Sequence, residues 1–574
     1  MITFFAEVRD ADKVEEVEDA MVRIIEDVAH SAATRAEVQR FRNRRLKEMD
    51  LAMTDSESVA IELSEWAALG DWRLLMVQRQ RISDLTAAEV SRVAGERLLP
   101  ANRTIGRFVP TAKAERAPVD EAPDAAAVVA TYRGGAAIAP GEAFAATVAN
   151  LEARTRRIEL AGGIKAAFLV KKTRGATVHL RLQLHHGDLT SLRGKSIPAA
   201  LLGALVQRGT IAHDHQALGD ELDRLKAEVS ITSSSGLVVL DVVTLRDNLE
   251  ATLALSTEML RTPRLDRKDL EIVRQEWLAA LEQSRQDPDA VGFEALELAL
   301  SPYAKGDPRR PLSIEERIAA LEKVTLAEVE RYHRDFWGAD HAELVVLGDC
   351  DVDATRALIE QQLSAWKARK AYTRMPEVYK RIAATQAVID TPDKEMTLVL
   401  AGANLDARDD DLEYPALELA GDILAGAGQA RLVERLRQKD GLSYAVFGGT
   451  SASAEDRAGS VLIGATVAPQ NAARALAAMQ EETDRLVADG VTAVELETFK
   501  TTWLEAWSAQ LASDDWVVSA LLRGLRLDRT LEHEQALRDR IAALTPADLA
   551  AVAKKHLDWA QMTRVTAGDA AKMK

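Results

Sequence analysis

One cysteine, Cys350, stands in 574 residues. That excludes an internal disulfide and a thiolate zinc cluster, since each needs at least two thiols. No apolar run approaches the roughly 18 residues that a membrane-crossing helix needs, so no span is expected. Lys and Arg number 73 against 90 Asp and Glu, a formal net charge of −17. Clustered cations able to displace the counterions of a polyanion are lacking, and nucleic acid is not an expected ligand. Signatures of phosphate-loop, serine-hydrolase and dinucleotide chemistry are missing as well: no G-x-x-x-x-G-K-[ST], no G-x-S-x-G, and no G-x-G-x-x-G after a strand. The charged run DARDDDLEY (406–414) reads as a solvated loop. Residues 1–21 have neither the basic start nor the long apolar core of a secretory signal, and read as a strand entering an amphipathic helix.

What is present is ordinary globular composition, 47% hydrophobic and 28% charged, on a chain long enough for several domains. It also repeats itself. RISDLTAAEVSRVAGERL (81–98), RIAALEKVTLAEVERYHRDFW (317–337) and RIAALTPADLAAVAKKHL (540–557) share an Arg-Ile entry and a helix start. In each, a Thr precedes an acid by three residues: Thr86 and Glu89, Thr325 and Glu328, Thr545 and Asp548. That spacing suits a capping box, in which the hydroxyl accepts from an orphan amide and the acid reaches back to the cap. Earlier starts of the same kind, Thr34 with Glu37, Asp266 with Asp269 and Thr492 with Glu495, precede them by 52, 59 and 53 residues. Three copies of one back half are therefore expected.

The front half is visible twice. RRIELAGGIKAAFLVKK (156–172) reads as a hairpin around Gly162 and Gly163, followed by strand, helix and strand; TQAVIDTPDKEMTLVLAGANL (385–405) opens a second such series. The expected fold class is α+β, with repeated sheet-plus-helices units, two of them complete and preceded by half a unit. The boundaries expected are 1–110 for the half unit, 111–154 for an Ala- and Pro-rich linker, 155–380 for one full unit and 381–574 for the other.

GQARLVERLRQKDGLSYAVFGGT (428–450) resembles the signature of the C-terminal domains of the pitrilysin/insulinase zinc peptidases, which bind zinc through H-x-x-E-H. The stretches PGEAFAATVANLEARTRRIELAGGIKAAFLVKKTRGATV and QRGTIAHDHQALGDELDRLKAEVS look like the middle of the large four-unit bacterial members. The resemblance implies the mitochondrial-processing-peptidase type of unit. It places the zinc helix of the first full unit at PAALLGALVQRGT (198–210), where Ala200, Gly203 and Ala204 occupy the positions of the first His, the Glu and the second His. Ala and Gly can neither chelate an ion nor activate its water. Glu276 falls at the third-ligand position, as an ordinary helix residue or a vestige. None of the ten histidines belongs to an H-x-x-E-H motif, and His185, His186, His213 and His215 read as solvated or hydrogen-bonded.

The resemblance also implies that Arg437 and Tyr444 approach the scissile carbonyl of a peptide substrate. On the residues alone, Arg437 could equally pair with Glu434 on a helix surface, and Tyr444 could be core beside Leu442 and Val446. The implied protein is the C-terminal, substrate-binding half of a zinc endopeptidase, inactive alone and binding no zinc itself. The zinc would come from an N-terminal zinc-bearing half or a separate zinc-bearing subunit. The alternative is a stand-alone, non-catalytic subunit or peptide-binding scaffold. The family makes a bacterial periplasmic location an expectation if an export signal precedes the chain, and a cytoplasmic one otherwise.

Overall fold

The computed structural model describes residues 3–6, 13–106 and 140–573. The first described stretch is helical: α1 (Val14–His30), α2 (Arg35–Ala52), α3 (Ser56–Ala68), α4 (Leu74–Asp84) and α5 (Ala87–Arg97). Residues 3–6 are not in a strand, contrary to expectation; no neighbouring strand is there among the described residues to take their backbone bonds.

Most of the expected linker, 111–139, lies outside the described residues. Its end is not irregular: α6 (Val148–Arg154) starts where the Thr147 hydroxyl accepts from Asn150 N, and it buries Val148 and Leu151. Then come β1 (Thr155–Leu160), β2 (Ile164–Val170), β3 (Thr177–His185), α7 (Ser196–Leu205), α8 (His215–Arg224), β4 (Glu228–Ser234) and β5 (Leu237–Leu245). Helices α9 (Leu249–Arg261), α10 (Arg267–Ser284), α11 (Pro288–Leu300), α12 (Ile314–Lys323) and α13 (Leu326–Phe336) lead to β6 (Ala342–Gly348) and α14 (Val352–Leu363).

The second series holds β7 (Gln386–Asp390), β8 (Thr397–Leu405), α15 (Tyr414–Ala425), α16 (Arg431–Val433), β9 (Ser443–Ala452) and β10 (Gly459–Val467). It closes with α17 (Ala472–Asp489), α18 (Ala493–Ala512), α19 (Asp514–Leu527), α20 (Glu532–Ala543), α21 (Pro546–His556) and β11 (Thr563–Gly568).

The two sheets share one topology. The first has the order β1-β2-β6-β3-β5-β4 and the second β7-β11-β8-β10-β9. In each, a parallel pair (β2 with β6, β7 with β11) is followed by antiparallel neighbours. The chain is α+β with repeated units, and β1 is an extra edge strand on the first.

Strand chemistry follows the layers. β5 alternates half-buried and buried residues, sending Val238, Leu240, Val242 and Thr244 to one side. β6, AELVVLG, is buried throughout because helices cover both faces of its sheet. One cover comes from the other series: α19 lays Val517, Val518, Leu521 and Leu522 on Ala167, Leu169, Val345 and Leu347. The exchange is reciprocal, since α11 lays Phe293, Leu296 and Leu300 on Leu398, Leu400 and Val565 of the second sheet.

Five of the six expected capping boxes are formed, at Thr34, Thr86, Thr325, Thr492 and Thr545. At Asp266 the carboxylate caps Lys268 N instead, and Asp269 turns to Arg208 Nε at 3.3 Å. The acidic run at 406–414 is not a solvated loop but a knot of ion pairs. Arg408 holds Asp410, Arg457 holds Asp406 and Asp411 at 2.6 and 2.8 Å, and Arg529 holds Asp409 at 2.8 Å.

Candidate functional site

The zinc-helix positions of the first unit lie on α7, which connects β3 to β4 across the sheet. Ala200 and Ala204 are half-buried and offer only methyl groups. Gly203 is pressed onto β4: a Cβ there would stand 2.8 Å from Ser233 N and 3.1 Å from Ser233 Cβ. A glutamate at 203 could not be accommodated without moving the helix off the strand. Glu276 is exposed on α10, the helix packed against α7. These residues do not fit a zinc ion, and among the described residues no three potential ligands stand together.

The histidines have other work. His186 is buried with Nε2 2.7 Å from the Tyr332 hydroxyl, and burial pushes its pKa down to about 4, so it is neutral at physiological pH. His185 Nε2 stands 2.8 Å from Glu343 Oε2, a close polar contact without hydrogen-bond alignment. His213 Nδ1 meets Glu258 at 3.1 Å.

The second unit has the same helix, α15, seated in the same way. A Cβ on Gly421 would stand 2.7 Å from Thr450 N of β9, so Gly421 matches Gly203, and Glu418 and Asp422 match Ala200 and Ala204. Here the two positions one helical turn apart carry carboxylates. Burial raises Glu418 to about 7, against a hydrogen bond from Trp503 Nε1 at 3.2 Å that lowers it; Oε2 of Glu418 is buried without a hydrogen-bond partner. Burial alone raises Asp422 to about 6. The pair was not singled out from the sequence. Its signal was there in E-x-x-G-D, the spacing of A-x-x-G-A in 200–204.

Arg437 and Tyr444 sit on either side of the reversal from helix to edge strand. After α16 the helix widens into a π-helical segment, Glu434–Lys439, closed by Asp440 N donating to Arg435 O at 3.0 Å. Such insertions reorient side chains and concentrate at functional sites. Gly441 (φ 58°) makes the left-handed turn, Leu442 N donates to Leu436 O at 2.8 Å, and buried Leu436 and Leu442 pin both sides.

β9 then begins with a bulge. Ala445 faces Thr466 and Ser443 faces Val467, so Tyr444 is the extra residue, opposed by none. The Ser443 hydroxyl, 2.7 Å from Ala445 O and 3.0 Å from Thr466 O, ties the bulge down.

Tyr444 is consequently 86% exposed rather than core. Arg437 is exposed and forms no ion pair with Glu434 or with any other described residue. Its neighbours differ: Arg431 holds Glu495 at 2.7 Å, and Arg435 holds Asp440 at 2.8 Å and Glu481 at 3.0 Å. At one reversal, beside the edge strand β9, a guanidinium and a phenol that have no hydrogen-bond partner among the described residues can donate hydrogen bonds to a peptide carbonyl.

Residues 323–502 match the family described as peptidase M16 inactive domain. Curated relatives include "Non-peptidase homolog YmxG" of Helicobacter pylori, 22% identical over 43% of this chain. That match spans 56% of the relative's own length. An uncharacterized zinc protease of Streptomyces coelicolor is 23% identical over 70% of this chain and 87% of its own. Solved structures with this fold include a peptidase M16 inactive domain from Pseudomonas fluorescens, with TM-score 0.64 and 22% identity over 72% of this chain and 98% of that one. A protease from Helicobacter pylori has TM-score 0.63 and 19% identity, with 72% and 99% covered.

Proposed function

We propose that this chain, whose residues 323–502 match the family described as peptidase M16 inactive domain, is the substrate-binding half of a zinc-dependent endopeptidase whose metal and catalytic base reside on another polypeptide segment or subunit. The observation that carries this reading is the pairing of Arg437 and Tyr444 at the π-helical turn and the bulge. Among the described residues neither of these two hydrogen-bond donors has an ion-pair or hydrogen-bond partner, although the neighbouring Arg431 and Arg435 are ion-paired. The likeness to a non-peptidase homologue and to an uncharacterized zinc protease supports a peptidase-like chain without its own metal site.

In this role the chain's residues bind and polarise. The backbone edge of β9 lies open to an extended peptide, with the Tyr444 hydroxyl and the Arg437 guanidinium donating to the carbonyl oxygen as it gains charge. No step passes through residues 200–204, which hold no base and no ligand.

The test is Tyr444→Phe and Arg437→Ala in the assembled enzyme. Losing one such donor lowers turnover by on the order of 10² to 10³ while KM changes little; an unchanged kcat for both would remove them from the mechanism. Chelator-sensitive cleavage by the purified chain alone would refute the assignment of metal and base to another segment.

A second reading is a non-catalytic peptide-binding scaffold, favoured by the non-peptidase relative. It predicts that the assembled complex binds unfolded peptide and cleaves none.

A further inference from the structure

The two sheets differ at one edge. In the first, β1 runs antiparallel along β2, pairing Arg156 with Phe168 and Ile158 with Ala166. In the second, β7 takes the place of β2, parallel to its neighbour, and among the described residues no strand lies outside it. Counting back from Gly348 and Gly568, which face Val170 and Asp390, Phe168 and Val388 occupy the same position. Phe168 is 0% exposed beside β1, whereas Val388 is 60% exposed.

The outer edge of β7 is arranged to accept a strand. Arg564 N donates to Thr385 O at 2.8 Å and Thr391 N to Gly568 O at 2.9 Å, so the odd-numbered residues of 385–391 bond to β11. The N–H and C=O groups of Gln386, Val388 and Asp390 therefore point away from the sheet. The preceding residues do not turn back beside them as β1 does at Gly162 and Gly163. They pass the ends of β8 and β11, where Lys380 O accepts from Asn404 Nδ2 at 3.2 Å and Thr385 N donates to Thr563 Oγ1 at 3.3 Å.

Sheet edges are ordinarily protected by charges, prolines or bulges. β1 exposes Arg156, Arg157 and Glu159, and β9 begins with the bulge at Tyr444. β7, QAVID, has no lysine, no proline and no bulge, and its one charged residue, Asp390, stands at its end and accepts from Ala570 N at 3.0 Å.

This edge is complementary to itself. Two copies aligned antiparallel over all five residues, centred on Val388, bring the outward N–H and C=O groups into register. Val388 then faces Val388, and Gln386 of each copy faces Asp390 of the other, an amide donor opposite a carboxylate acceptor. α11 lies chiefly over β8 and β11, one strand in from the edge, and leaves the approach clear.

We propose that β7 pairs with β7 of a second copy of this chain, antiparallel about Val388, joining the two five-stranded sheets into one continuous sheet across a two-fold axis. The reversal at Arg437 and Tyr444 lies by β9, at the opposite edge, so the pairing leaves it open and does not depend on the peptidase reading.

Five paired residues bury less surface than a permanent complex does, so the dimer is reversible. Sedimentation velocity of the full chain from about 1 to about 100 μM shows a monomer–dimer equilibrium. Val388→Pro removes an outward N–H, leaves the bonds to β11 in place and weakens association by about tenfold or more. Val388→Lys has the same effect by setting like charges opposite each other with no change to the backbone. Its circular dichroism and melting stay those of the wild type, because Val388 is solvated in the single chain. Gln386→Lys acts with the opposite sign: facing Asp390 of the other copy, it tightens the dimer, and the gain fades with added salt.

A monomer over the whole range, a dimer that Val388→Lys leaves intact, or a Gln386→Lys chain that associates more weakly than the wild type overturns the proposal. A dimer with the expected responses upholds it whether or not the assembled protein cleaves peptides.

Discussion

The carboxylates of α15 make a pH dependence that can be worked from the structure. Glu418 is held at about 7 instead of 4.5, chiefly by burial, and the neighbouring charge of Asp422 adds to the rise. A carboxyl whose pKa is higher in the folded than in the unfolded chain contributes stability in its protonated form. Below pH 4.5 both states hold the proton and the contribution is complete. As pH rises from 4.5 to 7 the unfolded chain releases the proton while the folded chain retains it, and stability falls until the folded pKa is passed. The rise from 4.5 to about 7 corresponds to about 3 kcal/mol lost over that window. Asp422, raised to about 6 by burial, adds a loss of the same sign, although the two interact and their effects are not additive. Glu418→Gln keeps an oxygen for Trp503 Nε1 and removes the titration. The variant should match the wild type near pH 4.5 and be more stable by up to about 3 kcal/mol at pH 8. A chain with several cooperative units need not melt in two states, so the assay is native-state amide exchange of residues 414–425 at both pH values, corrected for intrinsic rates. Identical pH dependence in wild type and variant would refute the argument that burial holds the proton on Glu418.

Gly203→Ala and Gly421→Ala should each destabilise by about 1 to 3 kcal/mol, because the new methyl would press on strand backbone 2.8 and 2.7 Å away; a lowered melting temperature checks this. Arg526 bonds the Tyr372 hydroxyl at 2.6 Å and Glu455 at 3.0 Å, and stands 3.7 Å from buried Glu343. Arg526→Ala should therefore lower the melting temperature and speed limited proteolysis in residues 364–385, where the units join. Tyr332→Phe leaves His186 Nε2 without its hydroxyl partner in a buried site and should cost about 1 to 3 kcal/mol, read by urea unfolding. Tyr444→Phe, at an exposed bulge, should leave melting unchanged whatever it does to turnover.

Local signals were legible and partnership was not. The capping boxes follow from Thr and acid three residues apart, and the hairpin at Gly162 and Gly163 from two glycines that both take positive φ, 92° and 88°. These depend on neighbours in sequence. Asp266 misled because its helix start is also an ion-pair site: Asp269 has a second suitor in Arg208, from another helix. The run at 406–414 looked solvated because its cations, Arg457 and Arg529, arrive from far along the chain. Tyr444 lay between two readings from the residues alone, since alternation along 442–446 puts it on a face with buried Leu442. The bulge breaks that alternation, and a bulge follows from pairing with β10 rather than from the strand's own residues. The exchange of α11 and α19 was invisible for the same reason: their apolar residues show that each is covered, not by which sheet.

What the two units retain and what they vary separate the scaffold from the chemistry. Both keep glycine where the helix meets the strand, because backbone contact there tolerates no side chain. Both keep the 21-residue interval between helix caps, Asp266 to Asp287 and Thr492 to Ser513, that delivers a crossing helix to the neighbouring sheet. The positions one helical turn apart beside that glycine are free to differ, being alanine in one unit and acidic in the other. A π-helical turn and a strand bulge, by contrast, occur together at a single reversal, between α16 and β9; the matching reversal from α8 to β4 pairs in regular register. Packing requires neither irregularity, since the first unit forms the same sheet without them. Two local departures from regular geometry that both act to expose Arg437 and Tyr444 are what the proposed peptide-binding role asks of this reversal.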